Sequence, residues 1–126
     1  MHGGGLDNAG TLTLTNSTVA DNRSVAAGAG GIENHAVSAG VTGTVTLRNT
    51  ILARNIPGEA PDCVGPVTSL GHNVIGDLTG CLITPLSTDL TGDPGLGEYI
   101  DDGTPGRGHF PRSPLVTRPA RLISFQ

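Results

Sequence analysis

The chain has 126 residues, with seven Arg and no Lys against eleven acidic residues, a net charge of −4, and only two Phe, one Tyr and no Trp. Scattered arginines without an aromatic-interleaved basic patch exclude a nucleic-acid-binding surface, and no apolar run approaches the roughly 20 residues that span a bilayer. With 20 glycines and so few bulky side chains, a conventional thick core is excluded and the interior must be narrow.

The first element is a glycine phrase, Gly4-Gly-Leu-Asp-Asn8, followed by Gly10-Thr-Leu-Thr-Leu-Thr-Asn-Ser-Thr-Val-Ala-Asp-Asn22. The phrase returns as Gly30-Gly-Ile-Glu-Asn34, and the longer segment returns 33 residues on as Gly43-Thr-Val-Thr-Leu-Arg-Asn-Thr-Ile-Leu-Ala-Arg-Asn55. The two glycine phrases are 26 residues apart, so a variable loop of seven extra residues lies between Asn34 and Gly43. A repeat of this period with one variable loop is the mark of a solenoid.

Within the repeat, Leu12 and Leu14, then Val45 and Leu47, alternate with neighbours at period two, which predicts short half-buried strands and no helix. Asn16, Asn22, Asn49 and Asn55 end the apolar runs, and asparagine tolerates the left-handed backbone of a tight corner. Strand and corner in alternation make a coil, and coils stacked in register form parallel sheets about 4.8 Å apart. The predicted fold is therefore all-β, a right-handed parallel β-helix of about three to four coils. Stacking places Leu12 on Val45, Leu14 on Leu47 and Val19 on Leu52 as apolar columns, and Asn16 on Asn49 and Asn22 on Asn55 as amide ladders.

Gly65-Pro-Val-Thr-Ser-Leu-Gly-His-Asn-Val-Ile-Gly-Asp77 reads as a third, looser coil. If Val67 lies under Val45, the pair Val74-Ile75 meets Ile51-Leu52 only with one extra residue, and Gly71 is the natural place for that bulge. Six prolines from Pro85 to Pro119 interrupt the rest, which predicts coils over residues 1–97 and an irregular cap or tail over 98–126. No basic-then-apolar signal peptide precedes His2, which already adjoins the repeat phrase. The expectation is the C-terminal part of a longer chain whose other coils lie upstream.

The phrase from Gly3 through Val19 resembles the repeats of bacterial right-handed parallel β-helix proteins related to polymorphic outer membrane proteins. Asp62-Cys63, Ser69-Leu-Gly-His-Asn-Val-Ile-Gly76, Gly80-Cys81 and Asp89-Leu-Thr-Gly-Asp-Pro94 are similar to the module that closes such helices ahead of a cell-surface anchor. Asp101-Asp-Gly-Thr-Pro105 and Phe110-Pro-Arg-Ser-Pro114 keep the skeleton of that module's end, whereas Arg118 to Gln126 departs from it. The resemblance implies an extracellular or bacterial cell-surface location and a structural or adhesive role, with an extracellular glycan or a host or cell-surface protein as partner. It is specific for architecture and nearly silent on activity.

Cys63 and Cys81 flank the third coil, 18 residues apart, close to one shortened turn. A structural disulfide between neighbouring coils is the leading reading, in keeping with the exported setting that the resemblance implies; two free buried thiols are the alternative. Polysaccharide lyases and glycoside hydrolases built on β-helices are the alternative function. For these, Asp7 and Glu33, at equivalent places in the repeat, are the weak catalytic candidates, because stacked carboxylates about 5 Å apart can in principle act as acid and nucleophile. Water-facing turn residues are the simpler reading. Asp21 over Arg54 reads as an exposed ion pair. No cofactor is expected; calcium, the one metal considered, would fall to Asp101 and Asp102 with Asp93 or Glu98. His2, His35, His72 and His109 show no ligand spacing and read as surface residues.

Overall fold

Alternation of threonine with leucine or valine sets the local structure: the small polar residues tolerate water on one face while the branched apolar ones seek cover on the other. The computed structural model describes residues 3–25, 27–56, 60–100 and 108–111 and, among them, contains strands and no helix. The first pass of the chain makes β1 (Leu6–Asn8), β2 (Thr11–Thr15) and β3 (Thr18–Ala20). The second makes β4 (Ile32–Asn34), a small excursion of β5 (Ala36–Ser38) and β6 (Val41–Thr42), then β7 (Thr44–Arg48) and β8 (Ile51–Ala53). The third makes β9 (Cys63–Pro66), β10 (Thr68–Ser69) and β11 (Val74–Ile75), followed by β12 (Cys81–Leu82), β13 (Leu90–Thr91), β14 (Leu96–Ile100) and β15 (Gly108–Pro111).

These strands form separate sheets. Three are wholly parallel, in the orders β1-β4-β9-β12, β10-β7-β2 and β13-β11-β8-β3. Two are antiparallel pairs, β5 with β6 and β14 with β15. The segment from His35 to Thr42 is thus a hairpin. The division at residue 97 falls inside β14, whose partner β15 carries the pairing to Pro111.

The 33-residue offset is the pairing register of β2 with β7: Leu12 lies opposite Val45 and Leu14 opposite Leu47, while Val19 lies opposite Leu52 in the next sheet. The 26-residue offset is the register of β1 with β4, where Leu6 meets Ile32 and Asp7 meets Glu33. In the third pass Thr68 meets Thr46, yet Val74 meets Ile51, so the step from Thr68 to Val74 is one residue longer than the step from Thr46 to Ile51. Gly71 at φ +97° and His72 at φ +60° take up that residue. Val19, Ile32, Val45, Leu47, Leu52, Cys63, Val67 and Ile75 form the buried core, flanked by the half-buried Leu6, Leu12 and Leu14 of the first pass. Each of the strands in this core contributes one or two apolar side chains to it.

The corners differ from the expectation at one place. Asn16 and Asn49 adopt left-handed backbone (φ 52° and 50°), but at the second corner the left-handed residues are Asp21 and Arg54 (φ 58° and 63°), one position ahead of Asn22 and Asn55. The physical reason is that Asn55 is needed inward: it is 2% exposed, and its amide bonds the corner together.

Candidate functional site

Register alone brings Asp7 and Glu33 side by side on adjacent parallel strands. His35, two residues beyond Glu33, turns its Nε2 to within 2.9 Å of Asp7 Oδ1, both side chains being about one-third exposed. The sequence treats His35 as an unpartnered residue of a spacer; the backbone bond from its N–H to the carbonyl of Asn8 explains how the start of the hairpin is held over β1. Glu33 is 4% exposed, and its Oε2 has no hydrogen-bond partner among the described residues. A buried carboxylate oxygen without a donor is uncommon and costly. Its burial also keeps a polymer from reaching it, so the two carboxylates are not equivalent: Asp7 faces water and Glu33 does not.

The strongest polar constructions are amide and carboxylate networks inside the corners. Asn8 Nδ2 donates to Asn34 Oδ1 at 2.8 Å, and Asn34 Nδ2 donates to the carbonyls of Gly43 and Pro66, both at 2.7 Å. Asn22 Nδ2 donates to Asn55 Oδ1 at 3.0 Å, and Asn55 Nδ2 donates in turn to Val19 O at 3.0 Å and Asp62 Oδ1 at 2.8 Å. The outer pair is simpler, Asn49 Nδ2 donating to Asn16 Oδ1 at an exposed edge. In the third column Gly65 stands where Asn8 and Asn34 stand in the first two, at φ +89° with the Asn34 carbonyl 2.0 Å from the place a Cβ would occupy. Only glycine fits there.

Asp62 and Asp89 organise the later corners, and neither was singled out for this from the sequence. Asp62, 1% exposed, accepts the N–H and side-chain amide of Asn55 through Oδ1 and the N–H of Asp77 through Oδ2. Burial pushes its carboxyl above the usual range, against the pull of the Asn55 and Asp77 donors. Asp89 accepts from Ser69 Oγ at 2.6 Å, Leu86 N at 2.7 Å and the N–H and side-chain amide of Asn73. Its partial burial acts to raise the carboxyl, but those donors outweigh it and hold the group below the usual range. Asn73, fully buried, links this network to the second pass by accepting from Thr50 N and donating to Leu47 O.

Asn73 could have been found from the alignment, because it precedes Val74-Ile75 as Thr50 precedes Ile51-Leu52. Asp62 could not: it occupies the column of Gly5 and Gly31, so the repeat points to glycine.

Cys63 and Cys81 are joined in a disulfide with Cα atoms 5.0 Å apart, and β12 pairs beside β9. Arg54 meets Asp21 at 2.9 Å and also donates from Nη1 to Leu96 O at 2.6 Å, tying the second corner to β14. A groove of about 220 Å³ beside this contact is lined by Arg54, Asn55, Asp62, Asp77, Asp93 and Pro94. Its acids are committed: Asp62 is used internally, the Thr79 donors hold Asp77 below the usual range, and Asp93 accepts the Gly95 N–H. Among the described residues no group of three His, Cys, Asp or Glu side chains is placed to hold a metal. Of the calcium candidates, Asp93 and Glu98 are exposed, and Asp101 and Asp102 lie outside the described residues, as does His2. His72 is an exposed corner residue whose N–H reaches Thr88 Oγ1.

No family model, curated protein or solved structure matches the chain. No helix among the described residues is long and apolar enough to cross a membrane.

Proposed function

We propose that the three parallel sheets are the faces of a right-handed parallel β-helix, and that the chain is a structural or adhesive unit of a secreted or surface-displayed protein. The observation that carries the reading is the rotation of the chain. β1, β2 and β3 belong to three different sheets, and β4, β7, β8 and then β9, β10, β11 revisit the same sheets in the same order. Crossovers between parallel strands of one sheet are right-handed in nearly all proteins, which supplies the hand. The disulfide supports an oxidising, extracellular setting.

Such a scaffold presents regular faces. Thr11, Thr13, Thr15, Thr44 and Thr68 are exposed along the sheet of β2, β7 and β10, in rows set by the strand spacing. Rows of hydroxyls and methyls suit a glycan or a cell-surface protein. The hydrolase or lyase alternative asks Asp7 and Glu33 to share one substrate, and the burial of Glu33 argues against it. The test is a glycan array and a cell-binding assay on the oxidised chain, with product analysis on the same polysaccharides. Binding without turnover is expected. New reducing ends or unsaturated products, or a folded chain that binds no glycan and no cell surface, would overturn the proposal.

A further inference from the structure

β8, β11 and β13 set a column of aliphatic side chains on the outside of their sheet. Leu52 and Ile75 are fully buried, so by the alternation of a strand Ile51 and Val74, one position earlier, lie on the opposite face. Register aligns Ile51 with Val74 and Val74 with Leu90. Ile51 and Val74 are half-buried, and Leu90 is 39% exposed. The patch continues around the corner before β11. Leu86, 46% exposed, lies 3.8 Å from where a Cβ on Gly71 would stand, and Leu70, 52% exposed, precedes that glycine. An apolar patch rimmed by polar residues, here the exposed His72, Thr88 and Thr91, marks a docking place.

Three observations select the occupant. The chain leaves the described residues beside this face: Arg54, directly after β8, donates to Leu96 O at 2.6 Å, and Leu96 pairs with Pro111, the last residue of β15. Residues 112–126, which lie outside the described residues, thus start near the C-terminal end of β8, and their extended reach of about 50 Å far exceeds a patch three strands, about 10 Å, across. Their sequence supplies Leu115, Val116, Leu122, Ile123 and Phe125 for apolar contact. It also holds Arg112, Arg118 and Arg121 and none of the eleven acidic residues, whereas the groove beside Arg54 is lined by the exposed Asp77 and Asp93. Hydrogen bonds from backbone N–H groups leave the charge of both aspartates in place. A segment tethered at this point meets the patch at an effective concentration of about millimolar, an advantage that no free partner shares.

We infer that residues 112–126 dock within their own chain on the outer face of the β13-β11-β8-β3 sheet. Their apolar side chains lie on Ile51, Val74, Leu86 and Leu90, and their arginines turn toward Asp77 and Asp93. This face is separate from the threonine rows, so the docking neither requires nor blocks an adhesive role for them.

The chain has no Trp, so Phe125→Trp in the oxidised full chain gives a single fluorescent reporter. Its emission is expected to be blue-shifted and shielded from iodide at every protein concentration. Leu86→Gln and Leu90→Gln, added to the reporter chain singly and together, should move the emission toward that of the guanidinium-unfolded chain and open it to iodide, furthest in the pair. Leu82→Gln, at a 69% exposed site on β12 of another sheet, should change neither reading. Far-ultraviolet circular dichroism and melting check that the coils are retained, and Leu86 sits in a turn closed by Asp89 N donating to Leu86 O, where the side chain is free to change. A reporter open to iodide in the starting chain, shielding that grows with protein concentration and so makes a second copy the occupant, or shielding that Leu86→Gln and Leu90→Gln together leave in place would overturn the inference.

Discussion

Replacing Asn55 with alanine is the sharpest test of how the passes are held together. Asn55 is 2% exposed; its Oδ1 accepts from the backbone and side chain of Asn22, and its Nδ2 donates to Val19 O and Asp62 Oδ1. An ordinary hydrogen bond is worth about 1 kcal/mol net, one to a carboxylate about 1.5–3 kcal/mol, and a buried group left unpaired costs more than the bond it lost. The substitution is therefore expected to remove about 4 kcal/mol, a large share of the roughly 5–15 kcal/mol typical of a domain. Asn49, in the other ladder of the same repeat, is exposed and makes one side-chain bond, to Asn16. Asn49→Gly, which keeps the left-handed backbone, should cost about 1 kcal/mol or less. Guanidinium unfolding of both variants at neutral pH in the oxidised state gives the two numbers. If Asn55→Ala lost under about 1 kcal/mol, or if the two substitutions cost the same, the interior amide column would not be what fixes the register.

Four further outcomes follow from the same geometry. Leu47→Ala, at a fully buried site, should cost about 3 kcal/mol, against about 1 kcal/mol for Leu14→Ala on the half-covered edge strand, read by chemical unfolding. Reduction of the Cys63–Cys81 bond, which closes an 18-residue separation, should lower stability by about 3 kcal/mol in the chain-entropy view, seen as a fall in melting temperature with reductant. Asp89 is held below the ordinary 3.8, so its contribution is present above that value and is lost as pH falls through the folded one; Asp62 is raised, so its contribution is present below 3.8 and is lost as pH rises through its folded value. Midpoints measured across that range should show Asp89→Asn converging on wild type in acid, while Asp62→Asn gains on wild type toward neutral pH. Glu33→Met, which removes the orphaned Oε2, should raise the denaturation midpoint; a fall would mean that the carboxylate has a partner it needs.

The parts of the fold legible in the sequence are those where one residue predicts its neighbour through the repeat. Strand register and the apolar columns follow from laying Gly43–Asn55 over Gly10–Asn22, and the extra residue at Gly71 from laying Gly65–Asp77 under Gly43–Asn55, because paired parallel strands repeat the same environment and so the same residue type. Parts that break the repeat stayed hidden. Asp62 stands in a glycine column, and its partners Asn55 and Asp77 are 7 and 15 residues away, with no periodic pattern linking them. The left-handed residues of the second corner are Asp21 and Arg54, because the asparagines that propensity selects are engaged by their side chains. His35 looked unpartnered because its contact with Asp7 depends on a hairpin that the composition of residues 36–42 does not announce.

A core to which each strand gives only one or two apolar side chains poses a problem of specificity that these networks answer. Ile32, Leu47, Leu52 and Ile75 can each be covered by any aliphatic neighbour, so apolar burial alone, which forbids a one-residue slip, would tolerate a strand displaced by two residues along its partner. Amides and carboxylates do not tolerate it. Moving the third pass by two residues would strip Asn73 of Thr50 N and Leu47 O, and displacing the second would part Asn55 from Asn22 and Val19. Each loss leaves buried polar groups unpaired, which costs more than the apolar surface regains. Burial thus drives the passes together, and the polar columns choose where they stop.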